Sequence, residues 1–297
     1  MTQLILTPGL LRQHPLPVPE EGSKEARGSA FVIGGSASVP GAALLAGVAA
    51  LRAGAGKLKI ATVQSAAAGM GLMVPEAMVV GLPEAPDGGV DAPRAADDLL
   101  RMAGGCGAVL VGPGMIGDEP TTSLTVRLLG AEGSPSFVLD AAAVCGLADH
   151  AENVKASGQR AVITPHAGEM AQLLDRSRDA IEADPLDAAR AAADLLGTVV
   201  VMKGATTWIV DPRGGHWLYE GGGVGLATSG SGDVLAGLVV GLLARGIDPI
   251  AAALWGVFLH GEAGRRLSST IGPIGFLARE IAGVVPGLMR ETMGSQS

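Results

Sequence analysis

Aromatic side chains are scarce in this 297-residue chain: they make up 3% of it, although 48% of all residues are hydrophobic. The core must therefore be built mainly from Ala, Val, Leu and Ile. The 46 glycines allow backbones to approach one another closely. This composition excludes a disordered chain, which cannot bury enough apolar surface to fold, and it favours a layered α/β fold.

Cysteine is nearly absent as well, since Cys106 and Cys145 are the only two. Their apolar surroundings and the lack of C-x-x-C spacing predict two buried thiols in a reducing compartment, and neither a disulfide nor a metal site. The chain also lacks a basic stripe, and its formal net charge is −8. We therefore expect no nucleic-acid partner.

Segments typical of export or membrane insertion are missing too. The first residues, Met1 to Pro8, lack the basic start and apolar centre of a signal peptide. No uncharged apolar run of about 18 residues occurs outside the glycine-rich segments. The sequence therefore predicts a cytoplasmic protein with no membrane association.

The order of apolar segments predicts how the chain is organised. Residues 1–27, rich in proline, glutamate and polar side chains, are predicted to form an N-terminal arm with a short helix around Pro8 to Gln13. Residues 28–297 show no further shift in composition and are predicted to form a single domain. Strands are predicted at residues 29–34, 57–62, 77–81, 108–111, 136–140, 161–164, 198–203, 206–210 and 216–219. Helices are predicted at residues 41–56, 91–103, 121–130, 165–174 and 179–196, with three more after residue 233.

Strands and helices alternate at short spacing through the first two-thirds of the chain, which is typical of a mostly parallel sheet with helices on both faces. Ligands bind beyond the carboxyl ends of the strands in such sheets. Small or polar residues follow several apolar strands at that edge: Gly34-Gly35-Ser36, Gly112-Pro113-Gly114, Asp140, His166 and Lys203.

One loop stands out because it feeds an apolar helix, and it runs from Leu226 to Asp233. Gly230 and Gly232 permit backbone angles that direct successive N–H groups to one point. The following helix adds unpaired N–H groups and the positive end of its dipole, so the loop predicts a phosphate site. Asp233 at its rim faces these N–H groups, so it is expected to stay ionised and to accept a proton. The alternative is a tight turn whose aspartate caps a helix.

Four motifs occur together in an order that resembles a known family. They are Gly112-Pro113-Gly114, Thr164-Pro165-His166-Ala167-Gly168-Glu169, Lys203-Gly204-Ala205-Thr206-Thr207, and Ala227-Thr228-Ser229-Gly230-Ser231-Gly232-Asp233, and Pro40-Gly41-Ala42-Ala43 precedes them. From about Lys24 to the C-terminus, the chain resembles the ADP/ATP-dependent NAD(P)H-hydrate dehydratases of the ribokinase-like superfamily. The resemblance implies a three-layer α/β/α fold with a mostly parallel central sheet. Three positions depart from the family pattern, which usually has glycine at Ser229, threonine at Ser231 and proline at Ala167, and Ser231 keeps a hydroxyl group.

The resemblance also implies roles for individual residues. It assigns contacts with the hydrated dinucleotide to Ala42, Ala43, Gly114, His166 and Asp233, and it makes Asp233 the catalytic base. It assigns the adenine nucleotide to Lys203, Gly204, Ala205, Thr206, Thr207, Gly230, Ser231 and Gly232.

Four polar residues near these motifs retain two interpretations each. His166 is a polar plug in a turn or a hydrogen-bond partner of the dinucleotide, and Glu169 is a first-turn cap or an acid linked to a metal. Asp140 is a helix cap or organises water or metal. Lys203 is a solvated cation or a nucleotide contact. No site is assigned to His14, His150, His216 or His260, and the three tryptophans are expected in the core or an interface.

The chemistry that the resemblance implies is the return of hydrated NADH or NADPH to the reduced cofactor. A phosphoryl group from ADP or ATP is placed on the ring hydroxyl with Mg²⁺ bound, and phosphate then leaves. The alternatives are a small-molecule kinase of the same fold, of the hydroxyethylthiazole- or sugar-kinase type, and a non-enzymatic nucleotide-binding protein. The resemblance further implies a homotetramer and a separate NAD(P)H-hydrate epimerase in the same pathway.

Overall fold

The computed structural model describes residues 4–17 and 23–294. Ten strands form one sheet in this part of the chain. Their bounds are β1 Leu4–Ile5, β2 Ser29–Ile33, β3 Lys57–Val63, β4 Ala77–Leu82, β5 Ala108–Val111, β6 Ser136–Leu139, β7 Ala161–Ile163, β8 Val199–Met202, β9 Thr207–Val210 and β10 His216–Tyr219.

The strand order is β1-β10-β9-β8-β7-β6-β5-β2-β3-β4. The seven strands from β8 to β4 pair in parallel, whereas β9 is antiparallel to both of its neighbours. This confirms the predicted mostly parallel sheet. The short β1 adds a parallel edge strand to β10, which the sequence pattern did not predict.

Twelve α-helices lie in the described residues. They are α1 Pro8–Leu11, α2 Gly41–Arg52, α3 Gln64–Met73, α4 Ala92–Gly104, α5 Glu119–Leu129, α6 Ala151–Ala156, α7 Ala167–Leu174, α8 Arg178–Ala183, α9 Pro185–Leu196, α10 Ser231–Ala244, α11 Pro249–Thr270 and α12 Ala278–Gly294. Single 3-10 turns lie at Ala141–Ala143, Leu147–His150 and Val224–Leu226.

The core is divided into two halves by the sheet. In β2, Ala30 and Val32 face α2, α10, α11 and α12, while Phe31 and Ile33 face α4, α5, α7 and α9. Such alternation follows from the two-residue period of a strand. The chain thus has the three-layer α/β/α architecture that was expected, with a core made largely of aliphatic side chains.

One predicted helix was wrong, and two helices, α3 and α6, were not predicted. The predicted helix over residues 179–196 is two helices, α8 and α9, which meet at Asp184. Pro185 has no N–H to donate and restricts the residue before it, so the helix ends there, and the Asp184 side chain accepts from the Asp187 amide to cap α9. Helix α3 was not predicted because its small residues give no clear apolar stripe.

The predicted N-terminal arm is described for residues 4–17 and 23–27, and residues 18–22 lie outside the described part. Helix α1 confirms the predicted turn of helix after Thr7. Leu11 is fully buried, and the indole Nε1 of Trp255 donates to the carbonyl oxygen of His14 at 2.7 Å. The arm therefore packs on α11. The division between arm and domain at residue 27 stays a prediction.

The cysteines differ from the prediction in one respect. Both are free thiols, but only Cys106 is buried, since Cys145 is half-exposed. No helix among residues 4–17 and 23–294 is long and apolar enough to span a membrane. Of the tryptophans, Trp255 lies in the core.

Two glycines allow α2 and α10 to pack backbone to backbone. A Cβ atom built on Gly237 would lie 2.7 Å from the Cα atom of Ala46, and one on Gly241 would lie 2.7 Å from the Cα atom of Ala50. Real Cβ atoms do not approach other atoms so closely. Residue numbers rise together along the two helices, so the helices run parallel and their amino ends lie side by side.

We expect Gly237→Ala to destabilise the protein by about 1–3 kcal/mol, because the added methyl group overpacks this contact. Gly283→Ala in α12 is the matched control, since nothing lies within 4 Å of a Cβ there. The control should be stabilising by about 0.5–1 kcal/mol, through better helix propensity. Urea denaturation measures both; equal effects of the two substitutions would contradict the close packing.

Candidate active site

The beginning of α10 lies where the phosphate site was predicted, and the structure corrects two details of that prediction. Gly230 has the left-handed conformation, with φ at 88°, whereas Gly232 lies in the first helical turn and needs no such angle. The Ser231 amide donates to the Thr228 carbonyl oxygen at 3.2 Å and is therefore occupied. The N–H groups of Gly232 and Asp233 donate to no acceptor in the described residues, so these two remain for an anion.

Asp233 carries a carboxylate whose proton affinity is raised. Burial, followed by the negative charge of Asp140, raises the pKa of Asp233 to about 6, while Lys203 opposes the change. The prediction that neighbouring N–H groups would determine its ionisation was therefore wrong about the cause. A pKa near 6 still leaves the group mostly ionised at pH 7, which suits a general base.

Lys203 and Asp140 form a buried ion pair next to Asp233. The ammonium Nζ lies 2.8 Å from Asp140 Oδ1 and 3.8 Å from Glu169 Oε2. Thr164 Oγ1 donates to the same Asp140 oxygen at 2.6 Å. Burial would lower the pKa of Lys203, but the carboxylates of Asp140 and Glu169 outweigh it and raise the pKa. Neither the solvated lysine nor the helix-capping aspartate is observed.

His166 and Glu169 form a capping box at the beginning of α7. The His166 ring Nδ1 accepts from the amides of Gly168 and Glu169 at 2.9 and 3.2 Å, and Glu169 Oε2 accepts from the His166 amide at 2.8 Å. Since Nδ1 is an acceptor, the ring hydrogen is on Nε2. His166 therefore has a structural role here, and its contact with a dinucleotide stays a prediction.

A cavity of about 740 Å³ opens beside these groups. Its lining includes seven residues that the resemblance assigned to ligands: His166, Lys203, Gly204, Ala205, Thr207, Ser231 and Gly232. Thr206, Gly230 and Asp233 are not part of the lining, although Gly230 and Asp233 adjoin it along the chain. A mostly apolar wall of Tyr219, Leu226 and Val257 completes the cavity, which has the size of a small-molecule site.

The other predicted substrate contacts lie together on the α2 side of α10. A Cβ on Gly114 would lie 2.8 Å from the Cβ of Ala42, and one on Gly34 would lie 3.5 Å from the Cβ of Ala43. Ala42 and Ala43 are buried, so only their backbone groups are available to a ligand. Gly230, at the beginning of α10, adjoins Leu45 of α2.

One residue of the cavity was missed by the sequence interpretation. His260 of α11 lines the cavity, and its Nε2 lies 3.0 Å from both the hydroxyl and the carbonyl oxygen of Ser231. The two residues are 29 positions apart in the chain. No local pattern signals such a pairing, because a single histidine in an apolar helix is ordinarily part of the core.

Comparisons with known proteins agree with this architecture. The family model for NAD(P)H-hydrate dehydratase matches residues 30–286. The ADP-dependent (S)-NAD(P)H-hydrate dehydratase of Xanthomonas campestris pv. campestris is 47% identical over 285 residues, covering 96% of this chain and 95% of that protein. A bifunctional NAD(P)H-hydrate repair enzyme Nnr of Moorella thermoacetica is 35% identical, and the chain spans 50% of its length.

A solved structure extends the likeness to three dimensions. The ADP/ATP-dependent NAD(P)H-hydrate dehydratase of Bacillus subtilis, co-crystallised with ATP and Mg²⁺, superposes with a TM-score of 0.81 at 27% identity, covering 98% of this chain and 99% of that one. The family model and the 47% identical relative both extend across the loop and the strand ends described above. On this evidence the chain belongs to the NAD(P)H-hydrate dehydratase family.

Proposed function

We propose that the protein returns hydrated NADH or NADPH to the reduced cofactor, using ADP or ATP as the phosphoryl donor, and so repairs a damaged metabolite. One observation carries the proposal: the Asp233 carboxylate and two unpaired backbone amides share the first turn of α10, where Gly232 lines a cavity of about 740 Å³. A base and an anion site so placed suit phosphoryl transfer to a hydroxyl group.

The residues divide the work of the reaction. Asp233 takes the proton from the ring hydroxyl as the hydroxyl oxygen attacks phosphorus. The amides of Gly232 and Asp233 hold the charge on the transferring group. As the new O–P bond forms, the bond from phosphorus to the nucleotide breaks, and AMP leaves from ADP or ADP leaves from ATP. The phosphate on the ring is then a good leaving group: the lone pair on the ring nitrogen expels it, and loss of a proton from the neighbouring ring carbon restores the double bond. Lys203 opposes the rise in the pKa of Asp233 and so keeps the base ionised.

The nucleotide and the metal ion fit the site in different ways. The small residues Gly204, Ala205 and Gly232 leave room for phosphates along the cavity. No group of three ligating side chains that could hold a metal occurs among the residues that the structure describes. Mg²⁺ commonly binds one or two carboxylates together with phosphates and water, and Glu169 and Asp140 are the carboxylates offered here. When bound, the ion neutralises charge on the phosphates.

The test is the recovery of reduced nicotinamide. Hydrated NADH or NADPH is incubated with the protein, ADP or ATP and Mg²⁺, and the absorbance of the reduced ring is followed. The proposal requires recovery that depends on nucleotide. A stable phosphorylated product without recovery would identify a small-molecule kinase instead, and nucleotide binding without turnover would identify a binding protein.

The pH dependence provides a separate prediction. The value of kcat/KM for the nucleotide should fall as pH falls through about 6, because protonated Asp233 cannot act as a base, and the loss should approach about tenfold per pH unit. A series of initial rates between pH 5 and pH 9 measures this. An acidic limb centred near 4 would contradict the raised pKa of this carboxyl group.

We also propose that copies of the chain associate, as the resemblance to a tetrameric family implies. The support is an exposed apolar patch at the open edge of the sheet, made of Leu72 and Met73 of α3 and Met78 of β4. Light scattering on a sizing column gives the mass, and replacing Leu72 by aspartate should reduce it. A monomeric mass for the unmodified chain would refute the proposal.

Two further proposals concern the setting of the reaction. As the resemblance implies, we propose that a separate NAD(P)H-hydrate epimerase acts in the same pathway. A cytoplasmic location is supported by the two unpaired thiols. Addition of an epimerase should increase the yield of reduced nicotinamide from a mixture of the two epimers of the hydrate. Cell fractionation tests the cytoplasmic location.

A further inference from the structure

His260 is a partly buried imidazole that the proposed reaction does not use. It lies on α11 and lines the cavity next to the beginning of α10. Its Nε2 atom is 3.0 Å from the Ser231 carbonyl oxygen and 3.0 Å from the Ser231 Oγ atom. One ring nitrogen thus contacts both polar oxygens of a residue in the predicted phosphate site.

The position of the ring hydrogen follows from these contacts. A carbonyl oxygen can only accept a hydrogen bond, so Nε2 must carry the hydrogen and donate it. Burial lowers the pKa of His260 to about 4, so the ring stays neutral under ordinary conditions. The imidazole is therefore a fixed donor aimed at Ser231.

The direction of the Ser231 hydroxyl follows in turn. Because Nε2 donates, Oγ faces it as an acceptor, and the hydroxyl hydrogen is left free. Ser231 Oγ has no other hydrogen-bond partner in residues 4–17 and 23–294. Since Ser231 lines the cavity, that hydrogen is available to an acceptor within it, next to the unpaired amide of Gly232.

We propose that His260 is a positioning residue for the nucleotide: it turns the Ser231 hydroxyl into a donor to a phosphate oxygen. The inference rests on the proposed use of ADP or ATP. Two backbone amides and one oriented hydroxyl then converge on the anion. His260 contacts no phosphate itself and acts only through Ser231.

The test is a double-mutant cycle read by calorimetric binding of ADP with Mg²⁺, which requires no turnover. Ser231→Ala and His260→Leu should each weaken ADP binding by about tenfold, since a hydrogen bond to a charged group is lost. The double variant should bind no worse than Ser231→Ala alone, because both changes remove the same contact. His260→Gln, which keeps an N–H donor, should restore most of the affinity.

The controls separate positioning from packing. His216→Leu replaces a buried histidine that lies outside the cavity lining, and it should leave the ADP affinity unchanged. If His260→Leu does not fold, His260→Met, which also lacks an N–H donor, replaces it in the cycle. Effects that multiply in the double variant, or an unchanged affinity in His260→Leu, would overturn the proposal. Normal ADP binding without recovery of NADH would refute the proposed reaction and leave this result standing.

Discussion

Replacement of Asp233 by asparagine is expected to lower kcat by about 10²- to 10⁴-fold, while the dissociation constant for ADP changes little. The amide cannot accept the hydroxyl proton, but the unpaired N–H groups of α10 remain in place. Rates of NADH recovery and calorimetric ADP binding, measured on the same preparation, give the two quantities.

The same substitution should make the fold more stable. The carboxyl pKa is about 6 in the folded chain against an ordinary value of 3.8, so the folded state binds this proton more tightly than the unfolded state does. Stability is therefore lost as pH rises from 3.8 to about 6, and the full cost of the ionised carboxylate is present above that range. Replacing the carboxylate by an amide should raise the free energy of unfolding by about 1–3 kcal/mol at pH 7.5. Asp194→Asn, an exposed change on α9, should affect neither rate nor stability. Full activity in Asp233→Asn would show that Asp233 is not the catalytic base.

Replacement of Lys203 by methionine is expected to lower the free energy of unfolding by about 3–5 kcal/mol, because it leaves the carboxylate of Asp140 buried without a cation. Asp140 is only 2% exposed, and its ammonium partner lies at 2.8 Å. Activity at pH 7 should fall as well, since Lys203 opposes the rise in the pKa of Asp233. The acidic limb of the pH profile should therefore move to higher pH.

The double variant Lys203→Met with Asp140→Asn tests whether the unpaired charge of Asp140 causes the loss of stability. Removal of both charges should recover most of the lost stability, as no charge is then left unpaired. Lys155→Met is the control, because Lys155 pairs with Glu152 at the surface and such pairs contribute little. If Lys203→Met were as stable as this control, the ion pair of Lys203 with Asp140 would contribute nothing to the stability of the fold.

Regular structure was predictable where the chain is strongly patterned. The apolar runs of β2, β5 and β8 and the alternation of strands with helices determine the parallel sheet, and those predictions are confirmed. Edge strand β1 was missed because two residues carry no periodicity, and the break at Asp184 was missed because the alanine-rich pattern continues on both sides of it.

The sequence predicted which segments contribute to the site, but it did not predict the contacts between their side chains. The glycine-rich loop before α10 and the polar residues at the strand ends were recognised because their spacing is local. The pairing of Lys203 with Asp140 across 63 positions, and of His260 with Ser231, depends on tertiary contacts. The raised pKa of Asp233 likewise depends on burial and on Asp140, neither of which a single sequence displays.

The glycine contact between α2 and α10 has a consequence for which ligands the protein can accommodate. Main-chain atoms determine the spacing of α2 and α10 at Gly237 and Gly241, so no rotamer change can widen or narrow it. Two ligands whose combined length differs from this spacing could bind only if α2 and α10 moved relative to each other along both turns that are in contact. Adaptation to new molecules is therefore left to the connecting segments, such as residues 271–277, whose exposed Ile274 is free of that constraint.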